Sequence, residues 1–286
     1  NSDITDASLT NAGYTITTEP GSVVTDYKCT YRTTADVNKD KIIYSNSAEA
    51  TFSTIFDVVS IAKTELTSII LEGFTSIGDD AFRNCSSLAS VTIPDSVTSI
   101  GIYAFRDCSG LVSLTIGDSV TSIGVYAFSK CTSLENVSIP NSVTTIGSGA
   151  FKSCTSMKTV SIGDSVTSIG FEAFRGCSNL KTMSMGNSVT SIGTFAFNGC
   201  VNLASVTIPD SVNSIKRGAF WGCQKLLSVK LPNSELTIDS QAFYFCSGLA
   251  NLVIPTTVKD INYEAFKNCS SLSNVVISSK TSQHNS

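Results

Sequence analysis

The feature that most constrains this chain is a period. Nine cysteines stand at a fixed interval of 23 residues: Cys85, Cys108, Cys131, Cys154, Cys177, Cys200, Cys223, Cys246 and Cys269. Three residues before each lies a phenylalanine, from Phe82 to Phe266, and before that an alanine, from Ala81 to Ala265. A strict period of this length marks a solenoid, in which each repeat is one coil and its neighbours complete its core.

In the repeat that starts at Leu88 the apolar positions are Leu88, Val91, Ile93, Val97, Ile100, Ala104, Phe105 and Cys108. Val91 and Ile93 alternate with Ser90 and Thr92, the period of a strand with one buried face. Pro94 (Gly117 in the next repeat), Asp95 and Ser96 end that strand in a turn. Proline removes a donor there, and Asp and Ser bond local backbone. Val97 and Ile100 bracket a second, shorter extended piece, after which Gly101 is expected to permit a reversal into one helical turn carrying Ala104 and Phe105. No repeat holds an amphipathic run long enough for three helical turns. The expected coil is mainly β with a brief helical or 3-10 segment, stacked about 4.8 Å from the next so that equivalent strands form a parallel sheet.

The pattern L-x-x-V-x-I-P-x-S-V-T-S-I-G-x-x-A-F-x-x-C, recurring over about residues 66–277, resembles the BspA-like (Treponema pallidum-type) leucine-rich repeat, whose specific signature here is A-F-x-x-C-x-x-L. The commonest leucine-rich repeat differs in carrying Asn or Cys shortly after the strand, and Ser96 stands near that place. The resemblance implies a right-handed, curved leucine-rich repeat solenoid with its main sheet on the concave face. It also implies a secreted or cell-surface protein that adheres to extracellular matrix or other cell-surface proteins.

Residues 1–64 do not repeat and read as an N-terminal β-rich cap over the first coil, with strands near residues 13–18, 27–33 and 41–44. Phe52, Phe56, Val58, Val59 and Ile61 are expected to dock on that coil. Residues 65–277 form the array, and residues 278–286 form a polar tail or linker. The main irregularity is Glu235, standing where a valine is expected. The chain opens at Asn1 with no basic, apolar leader, so either a leader has been removed or the sequence is a fragment. No C-terminal cap is visible, so either the natural chain continues or the open end meets another chain.

Several function classes fall away. With 15% charged residues and a net charge of −4, nothing points to nucleic acid or an anionic membrane. No apolar stretch approaches the roughly 20 residues of a membrane span. The only histidine, His284, lies in the tail, out of reach of a Ser-His-Asp, Cys-His or zinc constellation, so neither catalysis nor a cofactor nor a metal is expected. The glycines recur once per coil because turns need them, not as a phosphate loop. The nine cysteines, set between Phe and Leu ladders, read as reduced, buried thiols. Their number is odd, however, and Cys29 could pair only with the first of them; a Cys29–Cys85 disulfide stays open. Asp95, Asp118, Asp164 and Asp210 form a row that calcium would accept, but turn residues bonding their own backbone explain it without a ligand.

What remains is surface. The outward side of the main strands carries Ser90 and Thr92, Ser113 and Thr115, Asn136 and Ser138, Thr159 and Ser161, Thr182 and Ser184, Ser205 and Thr207, then Ser228 and Lys230. This hydroxyl-rich ladder is the candidate binding face. Sequons at Asn84, Asn136 and Asn268 are glycosylation candidates if a eukaryotic cell exports the chain, with Asn136 on the binding face itself. Behind the strands, Tyr103, Tyr126, Phe171, Phe195, Trp221, Tyr244, Phe245 and Tyr263 either cover gaps between turns or form a contact surface. The expectation is an extracellular or cell-surface, non-enzymatic scaffold that binds a protein partner. An alternative is a structural repeat that assembles end to end, at the uncapped C-terminal end, or laterally in a surface layer or filament. A remoter one is binding to an ice or polysaccharide lattice, against which a curved sheet argues.

Overall fold

The computed structural model describes residues 68–72 and 74–278, with short strands at Ile16–Thr17, Val23–Val24, Cys29–Tyr31 and Lys41–Ser45. The cap residues Phe52, Phe56, Val58, Val59 and Ile61, and the tail with His284, lie outside the described residues.

Each coil supplies two strands. In Ser90–Ile93, Val91 and Ile93 are buried while Ser90 and Thr92 face out, and the strand pairs in parallel with Ser113–Ile116 in a one-to-one register. The shorter Ser99–Ile100 pairs likewise with Ser122–Ile123. Repetition builds two parallel ladders. The short strands run unbroken through nine members, from Ser76–Ile77 to Val258–Ile261. Six main strands, from Ser68–Glu72 to Thr182–Ser184, and the pre-repeat strands Lys41–Ser45 and Cys29–Tyr31 at the other end together form an eight-stranded sheet. Beyond it come two separate pairs, Ser205–Thr207 with Ser228–Lys230 and Asn251–Pro255 with Asn274–Ser278.

The third wall carries the Ala-Phe-x-x-Cys signature, and here the expected helical or 3-10 turn is not found. Among the described residues there is no helix. Amide donors alternate instead between local and inter-coil acceptors. Arg106 and Cys108 donate to Tyr103 and Phe105 of their own coil, while Tyr103, Phe105 and Asp107 donate to Val125, Ala127 and Ser129 of the next. The alternation requires two left-handed residues per coil, such as Tyr103 at φ 57° and Asp107 at φ 61°, and each ends a right-handed turn before it can propagate. Gly101, expected to permit the reversal, does something else. It belongs to a column of glycines without positive φ, and a Cβ on Gly124 would come within 2.5 Å of the Gly101 carbonyl carbon. These glycines let one backbone lie directly on the next.

Inside, phenylalanine stacks on phenylalanine from Phe82 to Phe266, with centroids 5.1–5.3 Å apart and planes within 12° of parallel. The rings from Phe82 to Phe243 are fully buried and Phe266 partly so, and full burial of one ring contributes on the order of 1.5–3 kcal/mol before entropy is subtracted. The irregularity at Glu235 is resolved by a shift of one residue. Glu235 turns out to solvent beside Lys259 at 2.7 Å, Leu236 takes the buried place, and the register slips between Leu236 and Thr237. In the last described strand the apolar positions lose their cover, with Val275 50% and Ile277 73% exposed.

Candidate binding face

All of the candidate residues on the main strands, from Ser90 and Thr92 to Thr207 and Lys230, are exposed, as the alternation requires. The fold does not gather them into one site. Ser113, Asn136, Ser138, Thr159, Ser161, Thr182 and Ser184 line a shallow groove of about 560 Å³, floored by Leu114, Val137, Val160 and Met183. A groove across four parallel strands means that the sheet curves inward there. A second depression of about 420 Å³ shares Ser138, Ser161 and Ser184 and continues toward the turn at Asn141 and Asp164. Ser90, Thr92 and Thr115 lie on the same sheet outside the groove lining, while Ser205, Thr207 and Lys230 sit on the separate two-stranded sheet.

Two contacts organise the polar lining of the groove. Thr159 Oγ1 donates to Asn136 Oδ1 at 2.7 Å, and Ser161 Oγ to Ser138 Oγ at 3.1 Å. The lining carries no charge, and the nearest ion pair, Lys158 with Glu135 at 2.7 Å, stands one residue before the strands, at the rim. Asn136 is thus already engaged in the groove. The other two sequon asparagines, Asn84 and Asn268, occupy the same left-handed corner of their coils, at φ 66° and 64°, and are exposed.

The remaining polar ladders tie coil to coil. The turn carboxylates do not bond their own backbone as expected. Asp95 Oδ1 accepts the Asp118 amide at 2.7 Å, Asp164 Oδ1 that of Asn187 at 3.1 Å, and Asp210 Oδ1 that of Asn233 at 2.8 Å. Among the described residues, no three His, Cys, Asp or Glu side chains converge as a metal site would need.

Cysteine reveals a role that its apolar neighbours had concealed. Cys131 Sγ donates to the Phe105 carbonyl at 3.2 Å, Cys154 to Phe128 at 3.1 Å, and so on to Cys269. Each thiol therefore reaches back one coil. Cys85 is buried, and the side chain of Cys29, the partner weighed for it from the sequence, lies outside the described residues. Burial pushes the Cys177 thiol up to about 12 and those of Cys154 and Cys200 well above the ordinary thiol range. At neutral pH these sulfurs stay protonated, the state in which they donate and do not attack.

Among the described residues one carboxylate is buried. Glu172 accepts from Lys152 at 2.6 Å and also from Arg175. Burial works to raise its carboxyl, but the hydrogen bonds from Lys152 and Arg175 outweigh it and leave the pKa lowered.

The chain as a whole is similar to known proteins. The BspA type leucine rich repeat region family matches residues 55–181 and 167–286, in six copies. A leucine-rich repeat protein from Bacteroides ovatus ATCC 8483 is 25% identical, with a TM-score of 0.58 over 92% of this chain and 74% of that one. The T. pallidum leucine-rich repeat protein is 24% identical, with a TM-score of 0.50 over 75% of this chain and 85% of that one. No curated protein matches the sequence.

Proposed function

Because the chain belongs to the BspA-type leucine-rich repeat family, we propose that it is a non-enzymatic recognition scaffold, secreted or held at the cell surface, that binds a protein partner through the groove on its main sheet. The observation that carries this reading is the groove of about 560 Å³, lined by hydroxyls and one carboxamide over an apolar floor. Hydroxyl and carboxamide groups both donate and accept, so such a lining can follow the polar edge of an extended peptide. The groove is too shallow to surround a small molecule, as sites for such ligands do. A location outside the cell is supported by the family resemblance. An oligosaccharide at Asn84 or Asn268 is compatible with this function, whereas one at Asn136 would fill the groove.

The test is binding to a panel of extracellular matrix glycoproteins, measured beside a Ser161→Lys, Thr182→Lys variant whose new side chains add bulk and charge without entering the core. Binding that the variant loses supports the reading. Binding that survives places the contact elsewhere, and binding by neither form sinks the adhesive function. A second reading, assembly end to end, is favoured by exposed Val275 and Ile277. Sedimentation velocity across a concentration series would remove it if the protein stays monomeric, or if Val275→Lys, Ile277→Lys associates as the parent does.

A further inference from the structure

Away from the groove, five aromatic side chains form one continuous ridge across the C-terminal coils. Phe171 meets Phe195 with centroids 6.4 Å apart, Phe195 meets Trp221 at 6.1 Å, Trp221 meets Tyr244 at 4.7 Å, and Tyr244 meets Phe245 at 4.9 Å. These rings differ from the core stack in two ways. They reach solvent, with Phe171 44% and Phe245 45% exposed and the other three half-buried. They are also inclined to one another by 52–74°, so no common plane exists on which a flat ligand or sugar face could lie. Inclined rings leave clefts between edges and faces, the shape that takes an inserted side chain.

Gap-filling accounts for part of the ridge only. A Cβ on Gly218 would fall 2.4 Å from the Phe195 ring, so that ring lies over the glycine of the next coil. Trp221, Tyr244 and Phe245 have no such glycine beneath them.

The charge around the ridge is lopsided. Two carboxylates near it are neutralised by cations, Glu172 by Lys152 and Arg175 and Glu264 by Lys267, while Asp239 accepts from the Ser240 amide and Asn262 and keeps its charge. The cations at its centre are not neutralised. Arg217 stands over the Phe195 ring at 5.9 Å and reaches only Gln241, at 3.4 Å, while neighbouring Lys216 is exposed and unpaired. Aromatic rings beside arginine, with spare positive charge, make the composition of a binding hot spot.

We infer that this ridge is a second docking surface, distinct from the groove, and that it takes an acidic protein segment inserting apolar side chains between the rings while its carboxylates meet Lys216 and Arg217. The inference does not depend on what the groove binds.

The chain has a single tryptophan, and Trp221 lies in the middle of the ridge, so its fluorescence reports occupancy directly. The probes are synthetic peptides of alternating Glu and Leu, Gln and Leu, or Lys and Leu, added to the intact chain. The Glu–Leu peptide should shift Trp221 emission to shorter wavelength and saturate, binding about tenfold more tightly than the Gln–Leu peptide. The Lys–Leu peptide should leave emission unchanged. A Lys216→Glu, Arg217→Glu variant, checked for unchanged circular dichroism, should reverse that order. The Ser161→Lys, Thr182→Lys groove variant should respond as the parent does. Equal responses to all three peptides, or none, would overturn the inference. So would loss of the response in the groove variant, or a larger shift with anionic lipid vesicles than with the acidic peptide.

Discussion

Between Thr182–Ser184 and Ser205–Thr207 the main sheet stops, yet across the same two coils Ser191 and Ile192 still pair with Ser214 and Ile215. On the turn wall Phe174, Phe197 and Phe220 stay stacked at 5.2 and 5.3 Å, and Cys200 and Cys223 keep their bonds to Phe174 and Phe197. The two regions differ in what fills them. The turn wall repeats Ala, Phe and Cys without exception, whereas the main strand at the break carries Met183 and Met185, both only partly buried, where other coils have β-branched residues or leucine. Methionine is flexible and fits a pleated surface less well than valine or isoleucine. The comparison teaches that coil-to-coil continuity resides in the turn wall and the short-strand ladder. The main sheet can then lose pairing without breaking the solenoid.

The hardest test of this division is Phe174→Ala, which empties a place stacked on both sides. It should cost about 3–5 kcal/mol, and urea unfolding followed by circular dichroism should split into two transitions. Thr182→Ala on the groove should stay within about 0.5 kcal/mol of the parent. Similar losses from both would break the comparison.

Removal of one thiol is a smaller perturbation. Cys154→Ala deletes the bond to Phe128 and should lower stability by about 1–2 kcal/mol in the same assay. A companion measurement is alkylation by iodoacetamide at pH 8, read by mass spectrometry. The ladder from Cys108 to Cys246 should label only on unfolding, and labelling in the native state would contradict protonated, donating sulfurs.

Glu172→Gln touches a charge on the same wall. Glu172 has a folded pKa below its unfolded value, near 4.3. Its contribution is therefore fully present above the unfolded pKa and disappears as pH falls through the folded one. The substitution should cost about 1 kcal/mol at pH 7, because Lys152 and Arg175 remain partly solvated. That difference should vanish in acid, and a cost that persists at pH 2 would mean that packing, not charge, was lost.

The gentlest change is Met183→Val with Met185→Ile, which gives the strand at the break the residues of its neighbours. Stability should rise by less than about 1 kcal/mol. Amide exchange at Val206 and Thr207 should slow, and unchanged exchange there would show that the methionines do not cause the break.

Much of this architecture was legible in the chain. A 23-residue period with fixed Ala, Phe and Cys determines which atoms stack on which, and alternation in Ser90–Ile93 identifies the outward face. The partners of hydrogen bonds were not legible. Cys131 and Phe105, or Asp118 and Asp95, are joined across coils, and no local pattern distinguishes such a bond from one within a turn. The left-handed corners were hidden for a related reason. Tyr103, Tyr126 and Phe195 do not favour positive φ, and the inter-coil amide bonds impose it on them. The groove was half legible. The outward hydroxyls follow from alternation, but the end of the sheet at Ser184 does not: Met183 and Met185 stand there, yet pairing stops again between Ser228–Lys230 and Asn251–Pro255 with no methionine present.

The backbone bonds of the array link a coil to itself or to an adjacent coil, and this has a mechanical consequence. A load applied at the two ends of the solenoid is carried in series, and the weakest junction yields while the rest hold. Each coil that peels away pays out 23 residues, about 80 Å of extended chain. Pulled from its two ends, the molecule would lengthen in equal steps and dissipate work at each one, acting as a shock absorber whose stroke is written into the repeat length.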